Sequence, residues 1–441
     1  MRFNPKKFFE LAKEKEIEHS DVGVSHSRST SFSIYHQEVE SFSQNETFSI
    51  DARGIVNGKF GTAYTEVLDK NTYKFLVDAI YSTGSVIDAD KQAEMFEGSK
   101  KYHKKNFFKA KPTEDFKERI ELAKEIERRI RAFDPRIAEV ASVGYSENFS
   151  DSLLANSYGL NLKDKGCSFE IYAEVTAKDG DEVKTGFKVF ADHELEAFDI
   201  DTFVKEVAEE ALNKIGAVQC KSKKYPTVLS PETFTSLLKA YLSNMNAEEV
   251  QKNSSLFVGK LHQQVASKKL TVVEDGLVKN VFYRYHDDEG VAINKKNLIT
   301  KGVLETYLYT LETAKKDGVE PTGNAVSAGK MVAVPNYFYV KPGKKTFEDM
   351  IKNIKEGVYI TDLQGLHAGM NAKSGNFSLQ AQGFMIRNGK VAEPLTLITV
   401  AGNLVDVFNN IKDIASDLKL CIMDGCSSPS VYIKKMAISG K

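Results

Sequence analysis

Tryptophan is absent from this 441-residue chain, and cysteine occurs only four times. So few thiols form no disulfide framework. The nearest pair, Cys421 and Cys426, has no second pair to complete a zinc site. Free thiols in a reducing cytoplasm are expected. Long apolar runs are also missing, and no window approaches the ~20 residues of a membrane span. The N-terminus, Met1-Arg2-Phe3-Asn4-Pro5-Lys6-Lys7, carries no apolar stretch behind its positive charges, so export is not expected. Neither charge sign dominates: 60 basic residues face 61 acidic ones, for a net charge of −1. A protein that grips duplex DNA by itself shows a basic excess or stripe, so no direct nucleic-acid contact is expected. The short lysine runs (Lys100, Lys101, Lys104, Lys105; Lys221, Lys223, Lys224) lie in linker-like stretches and read as solvated, mobile surface. Gly-x-x-x-x-Gly-Lys-Ser/Thr, Gly-x-Gly-x-x-Gly and Gly-x-Ser-x-Gly are all absent, which removes support for nucleotide binding and α/β-hydrolase chemistry.

What is present is globular: 41% hydrophobic and 27% charged residues, enough chain for about two to three domains. Phe8, Phe9, Leu11, Ala12 and Ile17 recur at helical spacing between Pro5 and Glu18. From Asp21 to Thr65 the period falls to two, broken by Gly54 and the hairpin signal Asn57-Gly58. A helix follows over Asn71 to Tyr81. Thr113 to Ala132 is then amphipathic, and alternating runs cover Val140 to Tyr145, Ser168 to Val175 and Val183 to Phe190, with Asp179-Gly180 as a turn. Phe198 to Ile215 closes the unit as a helix. Helix, antiparallel meander, helix, and the same again: residues 1–215 are expected to be a duplicated α+β domain.

The polar connector ending in Ser230-Pro231-Glu232 reads as a boundary followed by an N-cap with proline at the first helical position. Helices are expected over Glu232–Ser243, Ala247–Gln264, Thr346–Lys355 and Leu404–Leu418. Short strands and glycine turns elsewhere make residues 225–441 a β-rich domain with flanking helices, so the fold class is α+β.

This second segment carries a series of short motifs: Gly259-Lys260-Leu261, Thr271 to Gly276, Asp287-Asp288-Glu289-Gly290-Val291, Gly302-Val303-Leu304, Thr322-Gly323-Asn324-Ala325, Ser374 to Ser378 with Gly383-Phe384, Ala401-Gly402-Asn403-Leu404 and Ser428-Pro429-Ser430-Val431. In order and spacing the series resembles the PmbA/TldE branch of the TldD/PmbA metallopeptidase family. The resemblance implies a family with two kinds of subunit. One bears a His-Glu-x-x-x-His helix and a later cysteine around zinc; the other keeps the scaffold without that motif. Together they form a protease for peptides and unfolded proteins. An older group name, modulator of DNA gyrase, implies a gyrase-binding alternative.

A zinc peptidase needs protein ligands, an open position for water and a carboxylate beside it. The eight histidines here are His19, His26, His36, His103, His193, His262, His286 and His367, and the nearest two, His19 and His26, are seven residues apart. Ligands on one helical face must be about four or five apart. The helix that should bear the motif, Glu232 to Tyr241, has no histidine. The expected function is therefore the non-catalytic subunit of a TldD/TldE-like zinc protease, with no metal of its own, zinc in a TldD-like catalytic partner, and no catalytic residue in this chain. The chain could also form a homodimer in isolation. An alternative is a homodimeric enzyme whose metal site gathers His286, Asp288 and Cys426.

Bland roles come first for the remaining candidates. His286-Asp287-Asp288-Glu289 reads as a turn or strand-end hydrogen-bonding element, and Cys426, near the resemblance's third ligand, as a buried thiol. Asp192-His193-Glu194 reads as helix capping. His262 is placed on a helix surface, and His367 in a glycine-rich turn. Asn324, Asn376 and Ser378 are candidate polar contacts for a peptide main chain, beside glycines that allow close approach; tight turns are the competing role.

Overall fold

The chain runs helix, three strands, helix, and then does so again. The first pass is α1 (Pro5–Glu14), β1 (Ser20–Tyr35), β2 (Glu38–Val56), β3 (Lys59–Thr65) and α2 (Thr72–Val86). The second is α3 (Lys117–Phe133), β4 (Ile137–Asn156), β5 (Asn161–Asp179), β6 (Glu182–Asp192) and α4 (Ile200–Leu212). The computed structural model describes residues 3–86, 93–108, 110–328 and 330–441; Met1 and Arg2 of the N-terminal stretch lie outside them. Both meanders join one antiparallel sheet, β3-β2-β1-β4-β5-β6, with β1 and β4 paired at its centre. Phe8, Leu76 and Ile80 from α1 and α2 seal one half, and Ile126, Ile130 and Val207 from α3 and α4 seal the other.

The strands run longer than the alternating pattern predicts, β1 for 16 residues and β4 for 20. Ser25, Ser27, Ser29 and Ser31 of β1 stand opposite Ser49, Thr47, Asn45 and Ser43 of β2, and opposite Ser152, Ser150, Asn148 and Ser146 of β4. A face of hydroxyls and amides produces no apolar alternation, so pattern reading finds only the strand ends. The β1–β2 turn is equally silent in sequence. His36 and Gln37 occupy left-handed backbone at φ 49° and 64° without being glycine. The fully buried Glu127 carboxylate of α3 accepts from both backbone N–H groups, at 2.9 and 2.7 Å, and holds them there.

The Lys100–Lys105 run is not mobile surface. Tyr102 donates to the Gly290 carbonyl at 2.7 Å, Lys105 N–H donates to the Tyr283 hydroxyl at 2.5 Å, and the Phe107 and Tyr283 rings meet edge to face at 5.0 Å. Aromatics interleaved with the lysines supply the buried area that docks the segment. Buried His193 is a second tie, its ring nitrogens 2.6 Å from the Cys167 carbonyl and 2.5 Å from the Asn280 carbonyl. Asp192 alone of that trio acts as a local cap, accepting from Glu194 N–H.

Beyond these, β7 (Lys223–Leu229) leads through Ser230 into α5 (Pro231–Leu242). The later strands are β8 (Val272–Glu274), β9 (Lys296–Thr300), β10 (Val303–Leu304), β11 (Ala325–Ala328), β12 (Lys330–Ala333), β13 (Phe338–Val340), β14 (Glu356–Gln364), β15 (Asn376–Arg387), β16 (Lys390–Asn403), β17 (Ile411–Ile414), β18 (Lys419–Cys421), β19 (Cys426–Ser428) and β20 (Val431–Ser439). One mixed sheet has the order β10-β9-β8-β13-β19-β18, and another β16-β15-β14-β7-β20-β17. An extra β16–β20 pairing closes the latter on itself and leaves β17 as an outer strand along β20. The β11–β12 hairpin stands apart. Helix α5 packs against β7 and β14 on one side and β18 and β19 on the other.

Three expected helices are shorter, and of Thr346–Lys355 only Phe347–Ile351 is helical. Spacing predicts Ala247–Gln264, and only Ala247–Gln251 is helical, because Asn253, Gly259 and His262 take positive φ of 55°, 67° and 61° and turn the chain. His262 is thus in a turn. Leu404–Leu418 stops at Asn409, and Ile411–Ile414 becomes β17, paired with β20. Apolar residues there are buried in either conformation, and the free edge of β20 decides between them. Among the described residues, no helix is long and apolar enough to cross a membrane.

Candidate functional site

Helix α5 is set by its first turn: the Ser230 hydroxyl accepts from Thr233 N–H at 3.3 Å, and Pro231 follows at the first helical position. Phe234, Leu237, Leu238, Tyr241 and Leu242 are buried in the core. The polar residues left over, Glu232, Thr235, Ser236 and Lys239, recur at helical spacing and share one stripe. That stripe meets the turn between β18 and β19. Asp424 accepts from the Thr235 hydroxyl at 2.7 Å and the Ser236 hydroxyl at 3.0 Å, and the Lys239 ammonium lies 3.4 Å from its other oxygen. Lys419 pairs with Glu232 at 2.9 Å.

Beside this stripe opens a cleft of about 640 Å³. Lys239 and Asp424 line one end, and Val326 and Val334 line the β11–β12 side. The Phe282 and Tyr337 rings lie parallel, with centroids 6.3 Å apart, and the Phe282 ring lies against Gly425. Tyr337 is fixed by a 2.8 Å hydrogen bond with Ser427. The cleft thus offers apolar and aromatic walls with a hydroxyl-bound ion pair at one end.

The cleft wall is held from beneath by Glu274, which is fully buried. It pairs with Lys296 at 2.6 Å and accepts from the Asn324 amide at 2.9 Å and from Asn336 N–H at 3.1 Å. Asn324 also donates to the Val334 carbonyl at 3.0 Å. It is therefore an internal brace of the hairpin rather than a group open to a ligand. Asn376 and Ser378 are exposed on one face of β15, where Asn376 accepts from Asn403 at 2.9 Å. The structure brings those two together but separates them from Asn324, and none of the three lines the cleft.

The acidic run from Asp287 to Glu289 is a bracket for the same hairpin. Asp287 accepts from the backbone of Glu289, Val291 and Ala325, and Asp288 accepts from Ser327 N–H while pairing with Arg284 at 2.5 Å. His286 bonds the Asp287 carbonyl at 2.8 Å, and burial holds its pKa below the ordinary histidine value. His367 is exposed on a four-residue helix. Burial, with the charge of Asp287 adding, pushes Glu289 up to about 7, and burial pushes Asp287 up to about 6. Because the Glu289 folded-state pKa is raised, the native protein binds the proton more tightly than the unfolded chain. Stability falls as pH climbs from about 4.5 to 7, where the buried charge takes full effect. Glu289→Gln still accepts from Leu311 N–H. Its stability gain over the parent is expected to grow by about 1–2 kcal/mol between pH 5 and pH 8, in paired urea titrations. A constant difference across that range would remove Glu289 as the titrating group.

Zinc chemistry can be weighed against these side chains. Structural and catalytic zinc takes deprotonated thiolate, neutral imidazole or free carboxylate oxygens. Helix α5 offers no imidazole, and Asp424 is already occupied by two hydroxyls and an ammonium whose charge opposes a divalent ion. Burial pushes the Cys421 thiol up to about 12 and raises Cys426 as well. This donor set does not fit zinc. Among the described residues no group of three or more His, Cys, Asp or Glu is gathered to hold a metal, so His286, Asp288 and Cys426 are not one cluster. The α5 stripe and Asp424 were missed in the sequence, although the recurrence of 232, 235, 236 and 239 was a readable signal for the helical half.

Comparison with known proteins gives this arrangement its context. Residues 222–440 match the PmbA/TldA metallopeptidase C-terminal domain, 111–215 the central domain and 20–82 domain 1. The chain belongs to the PmbA/TldD metallopeptidase family. A Methanothermobacter thermautotrophicus protein named metalloprotease is 25% identical, across 93% of this chain and 90% of that one. The crystal structure of a proposed modulator of a DNA gyrase from Thermotoga maritima superposes with a TM-score of 0.90 at 28% identity, covering 99% of each chain. TldE from Thermococcus kodakarensis shares the fold, with a TM-score of 0.86 at 21% identity over 98% of this chain and 100% of that one. Helix α5, Asp424 and the cleft all fall inside the segment matched by the family's C-terminal domain.

Proposed function

We propose that this PmbA/TldD-family chain is the non-catalytic subunit of a two-component cytoplasmic protease, and that it holds peptide or unfolded substrate for a zinc-bearing TldD-like partner. One observation carries the reading: the polar stripe of α5 is closed by Asp424 through two hydroxyls and a lysine, with no histidine on the helix. The helix keeps its place between two sheets while its chemistry is that of a support. The β11–β12 hairpin contains only those two strands among the described residues; Asp287 and Asp288 occupy the outer edge of β11, so the outer edge of β12 is the one that offers main-chain groups to an extended peptide beside the cleft. Main-chain pairing gives sequence-tolerant affinity, which suits unfolded substrates. Asn376 and Ser378 provide a second exposed polar face on β15, and Asn324 acts from beneath.

The test is elemental analysis of the pure chain together with a peptide-cleavage assay, with and without a partner bearing the His-Glu-x-x-x-His helix. The expected result is zinc well below stoichiometric, no cleavage by the chain alone, and chelator-sensitive cleavage in the mixture. Tightly bound stoichiometric zinc with cleavage by the lone chain would overturn the reading.

A further inference from the structure

We propose that Cys421 and Cys426 form a dithiol site that a hydroperoxide converts reversibly into an intrachain disulfide. Strands β18 and β19 pair antiparallel, with Cys421 directly opposite Cys426. Directly opposed residues project to the same face with Cα atoms ~4.5–5.5 Å apart. Disulfides span Cα separations of roughly 4.4–6.8 Å, so the bond needs little backbone movement. The connection between them is a single short turn, tied by Gly425 N–H to the Cys421 carbonyl at 3.0 Å, which holds the register. The other two thiols have no such neighbour: Cys167 lies opposite Phe149 on β4, and Cys220 precedes β7. All four cysteines are free and buried.

The chemistry balances with one oxidant. A Cys thiolate attacks the peroxide oxygen and breaks the O–O bond, giving a sulfenic acid and hydroxide. The second thiol then attacks the sulfenyl sulfur, expelling water. Two thiols and one hydrogen peroxide yield a disulfide and two waters. Burial keeps both thiols largely protonated at neutral pH, so the step is slow there and accelerates as pH rises. Met423, within the turn, is 77% exposed, so the turn that joins the two buried thiols faces solvent. The bond would lock the hairpin that presents Asp424 and Gly425 to the cleft. The site stands on the hairpin register and is independent of the peptidase-subunit reading.

The test uses the full chain, reduced and then treated with hydrogen peroxide at pH 8, unfolded, alkylated and digested with trypsin. One peptide, Leu420 to Lys434, carries both cysteines. The expected result is loss of both alkyl groups and a mass about two units below the dithiol peptide, restored by dithiothreitol before alkylation. Oxidation of Met423 adds oxygen and resists dithiothreitol, so it is distinguished. Cys167 and Cys220 should remain alkylated, and Cys421→Ser should abolish the reversible mass change. Three results would overturn the proposal: both thiols still alkylatable once Met423 is oxidised, an irreversible change, or a bridge to Cys167 or Cys220.

Discussion

Glu274→Ala is expected to destabilise the fold by about 3–5 kcal/mol, the usual cost of removing one partner from a buried charged network. The carboxylate is fully buried and satisfies four groups at once: the Lys296 ammonium, the Asn324 amide, Asn336 N–H and the Asn336 side-chain amide. Alanine removes that acceptor from all four; Lys296 keeps the Thr322 carbonyl at 2.7 Å, the Asn324 amide the Val334 carbonyl at 3.0 Å and the Asn336 amide the Gly323 carbonyl at 2.8 Å. An unsatisfied buried donor costs about 1–3 kcal/mol, more when charged. Glu274→Gln retains an acceptor oxygen and is expected to lose less. Because Asn324 and Asn336 brace the β11–β12 side of the cleft, peptide capture by the assembled complex should fall alongside stability. Urea titration of the two variants, with capture measured under conditions where both remain folded, checks this. A loss below 1 kcal/mol in Glu274→Ala would show that the cleft wall does not depend on this carboxylate.

Glu127→Ala, on α3, should be nearly as severe, at about 3 kcal/mol. Its carboxylate holds the β1–β2 turn through His36 and Gln37 N–H groups and meets Arg131 at 3.1 Å. Arg131 retains Glu139 at 2.6 Å, which moderates the loss. Two residues in left-handed backbone would lose the acceptor that compensates their strain. Replacing His36 and Gln37 with Asn-Gly relieves that strain and should recover part of the stability in the Glu127→Ala background. Failure of that rescue would show that the carboxylate acts through Arg131 rather than the turn. Glu127 and Glu274 share no partner in the structure, so their effects should add to within about 0.5 kcal/mol.

Local pattern determined a good deal of this protein. Apolar spacing marked α1, α2, α3 and α4 because each buries a single stripe, and Asn57-Gly58 marked the β2–β3 turn because that backbone favours those residues. Ser230-Pro231 announced α5, and the sequence alone shows that helix to be free of histidine. Tertiary structure decided what local pattern leaves degenerate. The mid-sections of β1, β2 and β4 carry hydroxyls and amides, so only pairing with each other makes them strands. Ile411 to Ile414 is apolar enough for a helix or a strand, and the edge of β20 selects the strand. The β1–β2 turn needs an anion that arrives on α3, some ninety residues later in the chain. The site shows the same division. Sequence alone placed a histidine-free helix after the connector, whereas Asp424, nearly two hundred residues away, meets Thr235 and Ser236 only after β18 and β19 fold against that helix. Carboxylates that close such sites carry no periodic signal, because their burial depends on partners from distant chain rather than on neighbours.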